Sequence, residues 1–137
     1  MTAKHDSIGV VVLEPNTQFL DRLCGFSQAV WGRHEVLPRQ TAKELHNAAV
    51  HLSIGVVIVR ASYQQSNVLI RAVLLDLYAR GTQIVVIQDT AAKLKEHTWV
   101  SLAGVHFLSD QAGDEQLNAL LILTLAQHCL PSRNRFV

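Results

Sequence analysis

Ile8-Gly-Val-Val-Val-Leu13, Ile54-Gly-Val-Val-Ile-Val59 and Ile84-Val-Val-Ile87 are three short runs of apolar, mostly β-branched residues. A strand with one wet face alternates apolar and polar side chains. These runs do not alternate, so both faces of each strand should be covered, as in the centre of a parallel sheet flanked by helices. Weaker strands are expected at residues 35–37 and 105–109.

Helical patterns lie between the strands. From Thr17 to Trp31, Phe19, Leu20, Leu23, Phe26, Val30 and Trp31 form an apolar stripe, with Asn16 placed to cap it. Thr41-Ala-Lys-Glu44 has capping-box spacing ahead of Leu45, Ala48, Ala49 and Leu52. Asn67 to Arg80 reads as a third helix stopped by Gly81. Thr90 can cap a fourth that ends near Gly104. Asp114 can cap a fifth, closed by Pro131. The order β-α repeated five times, with short connections and right-handed crossovers, predicts a doubly wound α/β sandwich of strand order 2-1-3-4-5.

The chain has 137 residues, enough for one domain, with a core over about residues 7–130 and a tail or start of a linker at residues 131–137. Hydrophobic residues make up 49% and charged residues 17%, a globular composition. Twelve basic residues against eleven acidic ones leave no basic excess, which argues against direct nucleic-acid contact. Ile8 to Leu13 is too short for a signal-peptide core, and Ala119 to Ala126 is too short to span a bilayer. A cytoplasmic protein is the expectation. Cys24 and Cys129 lack metal-type spacing and read as small buried hydrophobes in a reduced compartment, with a disulfide between them as the alternative.

Three segments carry a resemblance to a known family. Val11-Val-Leu-Glu-Pro-Asn-Thr17 is similar to the first strand and acidic turn of bacterial response-regulator receiver domains. Thr82 to Thr90 resembles their fourth strand, and Leu102-Ala-Gly-Val-His-Phe-Leu-Ser109 their approach to an aromatic-bearing fifth. The resemblance covers about residues 7–130 and rests on layout more than on motifs. It implies a flavodoxin-like fold. In a working member, two acids after the first strand and an aspartate ending the third bind magnesium, and that aspartate takes the phosphoryl group. A hydroxyl on the fourth strand and a lysine on the fifth receive its oxygens.

This sequence departs from that set almost everywhere. Glu14 matches the first acid, but Pro15 stands for the second and Arg60 for the phospho-accepting aspartate. Gln88 replaces the hydroxyl, Ser109 and Asp110 offer no lysine, and Phe107 stands near the aromatic switch position. Arginine cannot accept a phosphoryl group and repels magnesium. The matched positions change the family's charge of about −3 to near neutral, Glu14 against Arg60. Arg60 either pairs with Glu14 or points to solvent. A degenerate receiver that neither takes a phosphoryl group nor binds a cofactor or metal is the leading expectation.

Other chemistries are weaker in this sequence. Glu14, Asp89 and Asp110 could form a relocated cation site at the strand ends, although aspartate is also a common turn residue. Seven histidines are present, but His46 and His51 are five apart and share no helix face, and His34, His97, His106 and His128 are scattered. No Gly-x-x-x-x-Gly-Lys or Gly-x-Gly-x-x-Gly loop is present, so neither nucleotide-binding signature applies. Leu117 to Leu130 is apolar around most of a helix, and Val68 to Tyr78 shows the same excess. Such helices are either deeply sunk or carry an interface. Leu117, Leu120, Leu121, Leu125 and Leu69 are the expected interface residues, in a homodimer or against a protein partner or attached effector domain. The alternative function is a small-molecule or nucleotide sensor at the C-terminal edge of the sheet. An enzyme using relocated carboxylates ranks last.

Overall fold

A computed structural model describes residues 7–62, 67–88 and 104–128. Its elements, in chain order, are β1 (Ser7–Leu13), α1 (Thr17–Val30), β2 (Val36–Arg39), α2 (Ala42–His51), β3 (Ser53–Arg60), α3 (Val68–Ala79), β4 (Gln83–Gln88), β5 (Val105–Ser109) and α4 (Asp114–His128). All strand pairs are parallel, and the sheet order is β2-β1-β3-β4-β5. This is the flavodoxin-like, receiver-like arrangement. The helix expected from Thr90 to near Gly104, and Pro131, lie outside the described residues.

The non-alternating strands divide their side chains between two cores. Val10, Val12, Val56, Ile58, Val85 and Ile87 face α1 and α4, where Leu20, Leu23, Leu117 and Leu121 meet them. Val11, Leu13, Val57, Val59, Ile84 and Val86 face α2 and α3, against Leu45, Ala49, Ile70, Leu74 and Leu77. Each fully buried Val, Leu or Ile contributes about 1.5–3 kcal/mol through removal from water. A polar substitution on either strand face therefore costs a core contact.

Side-chain caps begin three helices. Asn16 and Asn67 each accept the backbone N–H three residues on, at 2.9 and 3.1 Å. Thr41 and Glu44 form the reciprocal capping box. Helix α3 ends in a left-handed glycine, Gly81 at φ 96°, with Gly81 N donating to Tyr78 O and Thr82 N to Leu77 O. That double bond pattern satisfies carbonyls the helix leaves open.

Two expectations shift. Strand β2 runs on through Pro38 and Arg39 rather than stopping at Leu37. Proline is tolerated there because β2 is an edge strand. Asp114 is the first helical residue rather than the cap, since Gly113 O already accepts from Leu117 N. The Asp114 carboxylate instead takes Arg22 Nη2 at 2.9 Å, which ties α4 to α1.

Candidate functional site

Parallel pairing brings the C-terminal ends of the central strands to one edge. Leu13 lies opposite Val59, Arg60 opposite Ile87, and Gln88 opposite Ser109. Glu14, Arg60, Gln88, Ser109 and Asp110 are therefore gathered from four strands. In α/β sheets this edge is where ligands usually bind.

Arg60 crosses the middle of this edge. Its Nε donates to Glu14 Oε1 at 3.0 Å and Oε2 at 3.2 Å. Its Nη1 lies 3.6 Å from Asp110 Oδ2, and its guanidinium carbon stands 4.9 Å from the Phe19 ring centroid. Glu14 is 1% exposed, and its Oε2 also accepts the Asn16 backbone N–H at 3.1 Å. A buried carboxylate needs such partners, because an unpaired one carries a large desolvation cost. Of the two readings of Arg60 left open by the sequence, the structure has the ion pair. Among the described residues, two carboxylates, Glu14 and Asp110, face this guanidinium.

The sequence reading missed two partners. Asp110 is a second carboxylate on Arg60, held by its own backbone N–H donating to Gln88 O at 2.9 Å. Phe19, read only as part of a helical stripe, also offers its ring to the guanidinium. A cation site built on Glu14 and Asp110 would have to displace Arg60, and Asp89 lies outside the described residues.

The remaining candidates sit around this cluster. Pro15 is exposed, and its carbonyl accepts from Gln40 Nε2 at 3.5 Å. Gln88 is half-buried at the end of β4. Ser109 Oγ accepts the Gln111 backbone N–H at 3.0 Å, closing the turn after β5. Phe107 packs against the core beneath α2 and α3.

No group of three metal-ligating side chains occurs among the described residues. His46 and His51 are exposed on α2, while His106 bonds the buried Gln83 at 3.2 Å. His34 and His128 are not scattered: their rings meet, with centroids 5.5 Å apart. His97 and Cys129 lie outside the described residues. Cys24 is half-buried and free, and burial followed by the charge of Asp21 pushes its thiol pKa up. It is a poor nucleophile in that setting.

The helix faces require a correction. Leu117 and Leu121, expected at an interface, are buried against the sheet, and Leu120 and Leu125 pack partly against the same core. The outward apolar residues of α4 are Ile122 and Leu123, 53% and 46% exposed. Helix α4 is apolar almost all round, so its sequence period could not choose the inner face. Leu69 is exposed, on a helix that also turns out Val68 and Leu75. No described helix is long and apolar enough to cross a membrane.

No family model matches the chain, and no curated protein matches it. Among solved structures, the chain is similar to a response regulator receiver domain protein from Bacillus halodurans C-125. The TM-score is 0.59 at 19% sequence identity, over 86% of this chain and 97% of that one. At that identity the likeness bears on the fold, and it agrees with the observed strand order.

Proposed function

We propose that this chain is a phosphorylation-independent, receiver-like regulatory module of bacterial signal transduction. It acts by contact with a protein partner or an attached effector domain and has no catalytic role of its own. The observation that carries the reading is the strand-end edge occupied by Arg60, held by Glu14 and Asp110. In a working receiver that place belongs to a magnesium ion and a phosphoryl group. A fixed guanidinium supplies positive charge there without either. The module would then stay in one state, and its input would be the presence or absence of its partner.

Exposed apolar side chains on both sides of the sheet support a contact role: Val68, Leu69 and Leu75 on α3, and Ile122 and Leu123 on α4. Within this reading the module also self-associates as a homodimer. The competing sensor reading needs a ligand that enters the same edge.

A thermal-denaturation panel separates the two. A ligand bound to the native state alone at a hundred times its dissociation constant adds about 2.7 kcal/mol, a readily seen rise in Tm. The expected result is no rise with magnesium and beryllofluoride, with divalent cations alone, or with nucleotides including cyclic dinucleotides. A rise with a nucleotide or a metal alone would replace the interaction module with a sensor.

A further inference from the structure

The edge of the sheet opposite Arg60 carries a second cluster. Strands β1 and β3 share the sequence Ile-Gly-Val-Val, at residues 8–11 and 54–57. Their register sets Ile8 opposite Ile54 and Val10 opposite Val56, so Gly9 and Gly55 lie side by side. The missing Cβ atoms leave a notch, and three rings fill it. A Cβ on Gly9 would lie 2.2 Å from His34 Cβ and 3.0 Å from the Trp31 ring. One on Gly55 would lie 2.8 Å from Gly9 O, 3.1 Å from the Trp31 ring and 3.2 Å from His128 Cε1. Both are closer than side chains tolerate, so the glycines are required by the rings.

Trp31 is fully buried, and its Nε1 donates to Leu121 O at 3.3 Å, which fixes α4 to the end of α1. His34 stacks edge-on to Trp31 at 5.2 Å between centroids, and His128 leans on it at 5.0 Å. The two imidazoles meet edge to face, with centroids 5.5 Å apart. A cavity of about 510 Å³, lined by Val30, Trp31, Gly32, Arg33, His34 and Leu125, lies beside them. It opens beside His34, and His128 is itself exposed to water.

The charges around the pair are few. Arg33 lines the cavity, and Glu35 follows His34 on the exposed side. Strands β1 and β3 bring glycines and valines to this core, Gly9, Gly55, Val10 and Val56 among them, and α1 ends there in Val30 and Trp31. On α4 the neighbours of His128 among the described residues are uncharged. No carboxylate among the described residues forms an ion pair with either imidazole.

We propose that Trp31, His34 and His128 form a proton-sensitive latch that holds the C-terminal end of α4 to the sheet and releases it when both imidazoles are charged. One imidazolium is tolerated against the indole face. His34 is half-buried and His128 lies exposed at its outer side, and two charged imidazoles in contact there repel each other. Burial, and then the charge of His34, lowers the pKa of His128 below the usual histidine range. The unfolded or opened chain therefore binds a proton that the closed chain refuses. Closure is fully stabilised above the ordinary histidine pKa and is lost as pH falls through the lowered one.

Hydrogen exchange of the amides of residues 121–128, corrected for its intrinsic pH dependence, tests the latch. Between about pH 7.5 and about pH 5.5, opening of that segment should rise roughly tenfold in the wild-type chain. Protection in β3 should stay unchanged. A His34→Gln, His128→Gln variant should lose the response. An equal response in that variant, or none in the wild type, would overturn the proposal. If the variant does not fold, imidazole NMR titration of the wild-type chain decides the matter. The latch requires the His128 titration to carry a second step caused by His34, and two independent titrations would exclude it.

Discussion

Leu121→Glu is expected to abolish folding, whereas Ile122→Glu, one residue along the same helix, leaves the fold intact. Leu121 is 1% exposed between the sheet and α1, and its carbonyl holds the indole of Trp31. Removing a buried leucine costs about 2–5 kcal/mol in lost burial and residual cavity. A carboxylate with no partner in that place adds several kcal/mol more. Together these approach the whole stability of a domain this size, about 5–15 kcal/mol. Ile122 faces outward, and its replacement should cost about 0.5 kcal/mol or less. If α4 also mediates self-association, Ile122→Glu shifts the sedimentation velocity profile toward monomer. Circular dichroism melts and sedimentation of the two variants read both effects. A folded Leu121→Glu protein would mean that the inner face of α4 has been misassigned.

Arg60→Ala should lower stability by about 3 kcal/mol, since removing one member of a buried pair leaves the other charge uncompensated. For a chain of this length that is a fall in Tm of roughly 10 °C. Glu14 and Asp110 both lose this guanidinium, and Glu14 is too deeply buried to turn to water. Glu14→Gln in the same chain should recover part of the loss, with a coupling of about 1–3 kcal/mol in a double-mutant cycle. An arginine pointing to solvent predicts something different: a change within about 0.5 kcal/mol and no coupling.

The sheet was legible in the sequence because the three central strands are apolar on both faces. That pattern has few explanations other than a covered parallel sheet. The caps at Asn16, Thr41 and Asn67 were legible for a similar reason, since each is a local side-chain to backbone bond. The Arg60 cluster was half legible. The family layout pointed to Glu14 and Arg60, but Asp110 and Phe19 reach the guanidinium from β5 and α1, and no local pattern records such a meeting. The inner face of α4 was not legible, because a helix apolar on nearly every side has no stripe to read. The ring cluster has a signal in the sequence. The same Ile-Gly-Val-Val in two neighbouring strands places two glycines together, and paired glycines in a packed sheet imply something large lying over them.

In the proposed reading, Arg60 stands permanently at the strand ends in place of phosphoryl chemistry. Intact-mass measurement of the wild-type chain after incubation with acetyl phosphate and magnesium tests it most directly. The expected result is an unchanged mass. A stable gain of one phosphoryl group, mapped to a residue at the strand-end edge, would contradict it.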